Sequence, residues 1–282
     1  MTERPLRSDL PLLGRWTVAR LKSIRRTPRA AFFTFIFPLL LLVLLNATSN
    51  SSHVTVPGGE IAFDQYFTPS MAIYALTVAC YALPIFGLAT ARDAGILKCV
   101  RGTPLSPWIY LVAWATGAIL TGLAAVVAIF VVGVSAFGVK LYPELLPAAI
   151  VTILVGAVSL GAIGLAVSTF VRRAETAPAI ANLTLFPLAF LSGLFFPIET
   201  APQWVKDIAH VFPLSHLVEA FEGCFSPFTT GSGFAFGDLA VVAAWGLAGL
   251  LVAVRRFRLE EDAEEGSGRL RALVRRGALE GN

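Results

Sequence analysis

The chain has 282 residues, 56% of them hydrophobic and only 14% charged, with a mean hydropathy of +0.74. Soluble globular domains carry about 25% charged residues, so this composition excludes an ordinary cytosolic enzyme and a disordered chain, and points to a polytopic membrane protein. The net charge of +4 and pI near 9.2 then fit a basic membrane face better than nucleic-acid binding.

Residues 1–29 form a basic leading segment. It is too long in its basic part to be a cleavable signal, and no small-residue cleavage site follows the first apolar run. Over 10–29 the spacing predicts an amphipathic helix. Leu10, Leu13, Trp16, Leu21 and Ile24 project to one side, and Arg15, Lys22, Arg25, Arg26 and Arg29 to the other, with Arg20 breaking the pattern. Such a helix lies in the headgroup plane, either as a topology anchor or also as a contact for a protein partner.

Uncharged runs follow at 30–46, 67–91, 108–139, 145–171, 176–198 and 239–254. A spanning helix needs about 20 apolar residues, and the first and last runs reach that length by borrowing neighbours. Backbone groups in lipid must be paired internally, so these runs predict six transmembrane helices in an all-α integral membrane fold. The short alternating segments of a β-barrel are absent. The expected division is a cytoplasmic N-terminus over 1–29, a six-span domain over 30–254 and a cytoplasmic tail over 255–282. The tail carries an acidic block at 260–265 and a basic piece at 269–276, read as a mobile solvated end.

The basic residues fix an orientation. Eight precede the first run, and three (Arg92, Lys98, Arg101) separate the second from the third. Two (Arg172, Arg173) separate the fourth from the fifth, and seven follow the last; the alternate gaps hold only Lys140 and Lys206. Lysine and arginine in short loops stay cytoplasmic. An even number of spans, with both termini inside the cytoplasmic membrane, is the expectation.

The loop over 92–105 is the most informative segment. Ile96, Leu97 and Val100 share one helical face, and Gly102 and Pro104 end the helix. Such a short helix is either a docking knob for a soluble subunit or a polar connector. Asp93, Gly95, Leu97, Lys98, Arg101, Thr103, Pro104 and Leu105, in that order, resemble the coupling-helix stretch of type-2 ABC exporter permeases, in particular the branch that includes the daunorubicin-resistance exporter. Ala91 stands where a glutamate is common in that family, and Cys99 where a basic residue is common. A second stretch is similar to the same family: 191–198 (Leu-Ser-Gly-Leu-Phe-Phe-Pro-Ile), then Ala201-Pro202-Gln203-Trp204, then Phe212-Pro213-Leu214. There the resemblance implies a re-entrant helical hairpin on the outer side before the last span. Locally, Thr200 is placed to cap a short helix with Pro202 in its first turn. Trp204, Val205, Ile208 and Phe212 would face lipid or protein. Pro213 would open a second helix carrying Leu217, Val218 and Phe221.

The resemblance implies a transport subunit coupled to a separate ATPase through Arg92, Asp93, Gly95, Leu97, Lys98, Arg101, Thr103 and Pro104, and working beside a second permease copy or a sister permease. No phosphate-loop motif G-x-x-x-x-G-K-[ST] occurs, so ATP and magnesium belong to the partner. The chain itself is read as no enzyme, binding no cofactor or metal; Cys80, Cys99 and Cys224 have no metal-ligand spacing. The predicted spans hold no charged or histidine side chains, which disfavours an ion-coupled carrier or a charged-ring channel. Their polar groups are mild: Thr77, Thr116, Thr121, Thr152, Ser159, Asn182, Thr184 and Ser192. Small residues Gly117, Thr121, Gly122, Gly156, Gly161, Gly164 and Ser168 suit close packing within the chain or between copies. Phe32 and Phe35 on the first run and Phe186 and Phe190 on the fifth either form an amphiphile path or face lipid. The outer acids Glu199, Asp207, Glu219 and Glu222 either attract a cationic compound or are simply solvated. The expected cargo is a hydrophobic or amphiphilic drug-like compound. A lipid or glycan, an ion-coupled carrier, and a membrane subunit without cargo are the alternatives.

Overall fold

A computed structural model describes residues 14, 31–49, 52–96, 107–198 and 201–256. The predicted amphipathic helix over 10–29 (Gly14 apart), residues 97–106 and the tail from 257 onward lie outside the described residues.

Helix α1 covers Phe32–Thr48. A β-hairpin follows, with β1 at His53–Val56 and β2 at Gly59–Ala62, and then α2 over Phe63–Asp93. Next come α3 (Pro107–Phe137), α4 (Leu146–Ser168) and α5 (Ala177–Leu191), then the short helices α6 (Gln203–Ala209) and α7 (Pro213–Gly223). The last helix, α8, is Phe236–Arg256. Among the described residues, α2, α3, α4, α5 with its preceding turn, and α8 are long and apolar enough to cross a membrane, while α1 is shorter. At 1.5 Å per residue α1 is roughly 25 Å long, a little under the ~30 Å hydrocarbon core.

Two departures from the sequence expectation have plain causes. The fold is helical as expected except for one hairpin: the loop after α1 pairs Val54 with Ile61 and Val56 with Gly59 in an antiparallel ladder. The β-branched residues of β1 favour a strand, and Pro57-Gly58 makes the two-residue turn, with Gly58 at φ +103°. The ring of Phe228 packs over Gly58 and Gly59, where a Cβ would come within 2.6 Å of it. Second, the fifth apolar run does not continue as helix to 198. It stops at Leu191, where the Ser192 N–H donates to Leu188 O (2.9 Å). Gly193 then takes φ +85°, the left-handed conformation that ends helices.

α2 is the centre of the bundle: 89% of its apolar window is buried, against 22% for α5 and 28% for α8. A π-helical stretch at Val78–Ala82 interrupts it just before Pro84. Another at Phe32–Ile36 precedes Pro38 in α1. Proline lacks the N–H and its ring crowds the carbonyl four residues back; a wider turn relieves both. Gly164 of α4 packs on this stretch, and a Cβ there would lie 2.6 Å from the Tyr81 carbonyl oxygen. On its other side α4 receives α8, since a Cβ on Gly249 would stand 2.9 Å from the Ile163 nitrogen and one on Gly246 would stand 2.8 Å from the Ser159 Cα. Gly164 of α4 and Gly246 and Gly249 of α8 therefore serve close packing within the chain.

Specific contacts show that the helices alternate in direction. The Phe63 N–H donates to Ser52 O (3.0 Å), bringing the end of α1 to the start of α2. Gln65, at that same end, donates through Nε2 to the carbonyls of Lys140 (3.0 Å) and Phe225 (2.8 Å) and accepts from the Lys140 N–H (2.8 Å). The Tyr66 hydroxyl donates to Gly193 O (2.5 Å) just past α5. At the opposite end Arg92 reaches Ser168 and Val171 past α4, and Arg256 of α8 stacks on Phe170 at 4.1 Å. Arg92, Arg172, Arg173, Arg255 and Arg256 thus gather at one end, and Lys140 is held at the other.

The pair α6 and α7 fills the space before α8. Helix α6 begins at Gln203, so Pro202 precedes the first turn rather than lying in it; Thr200 lies outside the described residues. Trp204 and Ile208 are exposed and Val205 half-buried, whereas Leu217, Val218 and Phe221 of α7 are buried. The elbow between the two helices packs along the first half of α8, between Asp238 and Trp245. The Trp245 indole N–H donates to Val211 O (3.1 Å), and Trp245 lies about 13 Å along α8 from its first residue.

Candidate functional site

The last turn of α2 meets the corner between α4 and α5. The Arg92 guanidinium donates through one nitrogen to the carbonyls of Ser168 and Val171, the latter at 2.9 Å. Ser168 is the last residue of α4 and Val171 lies in the turn beyond it, where the Ser168 carbonyl also accepts from the Val171 N–H (3.3 Å). Asp93 Oδ2 accepts from the Ala174 N–H at 2.6 Å, the first amide of the turn Ala174–Thr176 that leads into α5. A cation therefore meets the negative pole of one helix, and a carboxylate the positive approach to the next. Ser168 and Val171 are fully buried, while Arg172 and Arg173 point outward and are exposed. Gly95 follows at φ +68° with open space around it. Of the predicted coupling residues, then, Arg92, Asp93 and Gly95 come together here. Leu97, Lys98, Arg101, Thr103 and Pro104, like Cys99, lie outside the described residues.

The predicted aromatic path is only partly assembled. Phe33 and Phe37 of α1 are 5.9 Å apart, and Phe37 approaches Tyr74 of α2 at 6.2 Å. Tyr74 approaches Phe195 at 5.7 Å, and Phe195 lies 5.0 Å from Phe190 of α5. Rings of α1 and α5 are thus linked through Tyr74 and Phe195. Phe190 belongs to this series; Phe32 touches it only through Phe33, at 5.3 Å. Phe35 packs against the core, and Phe186 is exposed on the open face of α5 together with Leu183. The Tyr81 hydroxyl and Thr184 Oγ1, 2.6 Å apart, join α2 to α5 in the same region. Tyr74 and Tyr81 were missed at the sequence level because neither belongs to the aromatic runs of the first and fifth segments.

Most polar groups of the spans are satisfied locally. Thr77, Thr116 and Thr121 donate to carbonyls four residues back, the usual fate of threonine in a helix. The acids of α7 are less simply solvated than expected. Ser70, buried in α2, donates to Glu222 Oε1 at 2.5 Å. Glu219 lines an open cleft of about 330 Å³ with Thr229, Thr230 and Ser232. His216 Nδ1 lies 2.7 Å from Asp238 Oδ1 at the start of α8, and its Nε2 lies 2.9 Å from His210 O. Burial alone would lower the His216 pKa. The hydrogen bonds to Asp238 and the His210 carbonyl, with the charges of Asp238 and Glu219, outweigh it and raise the pKa above 6.5. Both ring nitrogens face acceptors, and only the imidazolium donates from both at once. Among the described residues no cluster of His, Cys, Asp and Glu could hold a metal ion; Cys80 and Cys224 are buried and free.

A bundle of alternating apolar helices with its basic residues at one end is matched over residues 14–225 by the family model described as ABC-2 type transporter. The chain belongs to the ABC-2 type transporter family. It is the multi-pass membrane subunit of an ABC transporter, a transport subunit rather than an enzyme, in a family that works with an ATPase partner. It is 24% identical over 205 residues to the putative transport permease YvfS of Bacillus subtilis, covering 73% of this chain and 82% of that one. It is 21% identical over 160 residues to the probable multidrug ABC transporter permease YbhR of Escherichia coli, covering 57% of this chain and 43% of that one. The match to the ABC-2 family ends at Phe225, so α8 lies beyond it.

Proposed function

We propose that this ABC-2 permease is the membrane half of an ATP-driven exporter that moves a hydrophobic or amphiphilic, drug-like compound outward across the cytoplasmic membrane. In this reading α1 to α5 and α8 are six spans, and α6 with α7 is a re-entrant outer hairpin. Both termini face the cytoplasm. A separate ATPase dimer grips the segment that follows Gly95, and a second permease copy or a sister permease completes the path. Substrate would pass by the aromatic series from Phe33 to Phe190.

The observation that carries this reading is the segregation of charge. Arg92, Arg172, Arg173, Arg255 and Arg256 share one end of an alternating bundle, which the positive-inside rule assigns to the cytoplasm. The packing of the α6–α7 elbow between Asp238 and Trp245 of α8 supports the re-entrant hairpin. The low burial of α5 leaves a face for a second permease. The name of the Escherichia coli relative supports a drug-like cargo.

The test uses single cysteines at Gly102 and Gly231 in a background lacking native thiols, together with inside-out vesicles holding the permease and its ATPase. An impermeant thiol reagent should label position 231 but not 102 in intact cells. Uptake of a fluorescent amphiphilic cation into the vesicles should require ATP and survive an uncoupler. Labelling of position 102 from outside, or uptake that collapses with the proton gradient, would overturn the proposal.

A further inference from the structure

The resemblance assigns Arg92 and Asp93 to the surface gripped by the ATPase. The geometry points elsewhere: we infer that these two residues form an internal clasp that fixes the end of α2 to the α4–α5 corner, so that a push on the segment after Gly95 moves α2, α4 and α5 as one body. They are positioning residues for transport, acting through the corner and not as charges offered to the ATPase. The inference rests on the exporter reading for its functional consequence, but its structural half stands without it.

Three observations converge. Arg92 donates through Nη1 to the carbonyls of Ser168 and Val171. Asp93 spends a carboxylate oxygen on the Ala174 N–H at 2.6 Å. Both target backbone groups of the connection between α4 and α5, and each carries the sign favoured by the helix end it approaches: the cation at the C-terminal end of α4, the carboxylate ahead of α5. Third, the corner is gripped again from α8, where the Arg256 guanidinium lies 4.1 Å over the Phe170 ring. The segment from Ser168 to Ala174 is thereby held by side chains of two helices besides α4, which leads into it. Immediately beyond the clasp, Gly95 at φ +68° turns the chain away, with nothing within 4 Å of where a Cβ would be. The clasp is thus the last side-chain anchorage of α2 before that turn, and it is where a push would enter the bundle. Arg172 and Arg173, on the same corner, are exposed.

The two roles predict opposite outcomes for conservative substitutions. In Asp93→Asn the side-chain oxygen still accepts from Ala174, but the charge is gone. In Asp93→Glu the charge remains, but the acceptor is displaced. Asp93→Ala removes both. Hydrogen exchange on the full chain in nanodiscs reads the clasp directly. The peptide containing Ala174 should exchange about tenfold faster in Asp93→Ala, in line with loss of one charge-assisted hydrogen bond. It should stay close to wild type in Asp93→Asn. In the reconstituted complex with its ATPase, Asp93→Ala should keep ATP hydrolysis and lose most transport, and Asp93→Asn should restore transport while Asp93→Glu does not. Unchanged exchange at Ala174 in Asp93→Ala would overturn the clasp. Transport kept by Asp93→Glu and lost by Asp93→Asn would return the residue to an electrostatic contact with the ATPase. If the wild-type complex shows no ATP-driven transport, the exporter reading fails, while the exchange result still decides the clasp.

Discussion

Gly164 carries more of this fold than its size suggests. Where it crosses the π-helical stretch of α2, the two backbones are so close that a methyl group would stand 2.6 Å from the Tyr81 oxygen and 2.9 Å from its Cα. Backbone cannot rotate away as a side chain does, so Gly164→Ala must push the helices apart. Overpacking of this kind costs about 1–3 kcal/mol. A lower melting temperature in detergent is the expected outcome, with Gly161→Ala close to wild type, since a Cβ on Gly161 meets nothing within 4 Å. Since alanine is the better helix former, propensity alone would raise both melting temperatures, and equal losses in the two variants would show that this crossing does not set the response. Arg92 teaches a related lesson. Its sequence context marks it as a cytoplasmic charge, yet its partners lie 76 and 79 residues downstream. No local pattern reports a contact between two helix ends that far apart.

At the scale of elements, the apolar helices were legible and the connections were not. Lipid tolerates no unpaired charge or backbone, so a spanning helix is written as an uncharged run; every run except the fifth matches a helix to within about four residues, the fifth ends early at Leu191, and α1 is shorter than the helices long enough to cross a membrane. The hairpin at His53–Ala62 was readable in principle, from Val54, Val56 and the Pro57-Gly58-Gly59 turn, but four-residue strands are drowned by neighbouring apolar helices. The end of α5 was signalled by Ser192-Gly193 and obscured by the apolar residues beyond. Glu222 was read as an outer acid because sequence cannot show that α7 brings it to Ser70.

The tie between α7 and α8 belongs to this scale as well. The His216 pKa is raised in the folded protein, so folding favours the protonated ring. Its stabilisation is fully present below the unfolded value near 6.5 and is lost as pH rises through the higher folded value. The melting temperature of wild type relative to His216→Gln should therefore be greatest in mild acid and should shrink as the medium turns alkaline. A difference that stays constant across that range would remove His216 protonation from the account. Asp238→Asn should flatten the same dependence, because it takes away the main group that favours the imidazolium.

Across the whole molecule, α2 is the most buried of the long apolar helices, and it also carries buried Gln65, Thr68, Ser70 and Thr77. Such a helix is poorly suited to lipid on its own, since polar groups in hydrocarbon need partners. Three of its partners arrive later in the chain: Lys140 and Phe225 for Gln65, and Glu222 for Ser70. During synthesis, α2 must therefore wait beside the insertion machinery, or under chaperone cover, until α3 to α7 have emerged. Nascent chains arrested after residue 96 should remain crosslinked to the translocon and be short-lived when released. Chains arrested after residue 256 should leave it and persist in pulse–chase. Prompt escape of the shorter chain into lipid would mean that α2 finds its shelter without the helices that enclose it in the finished protein.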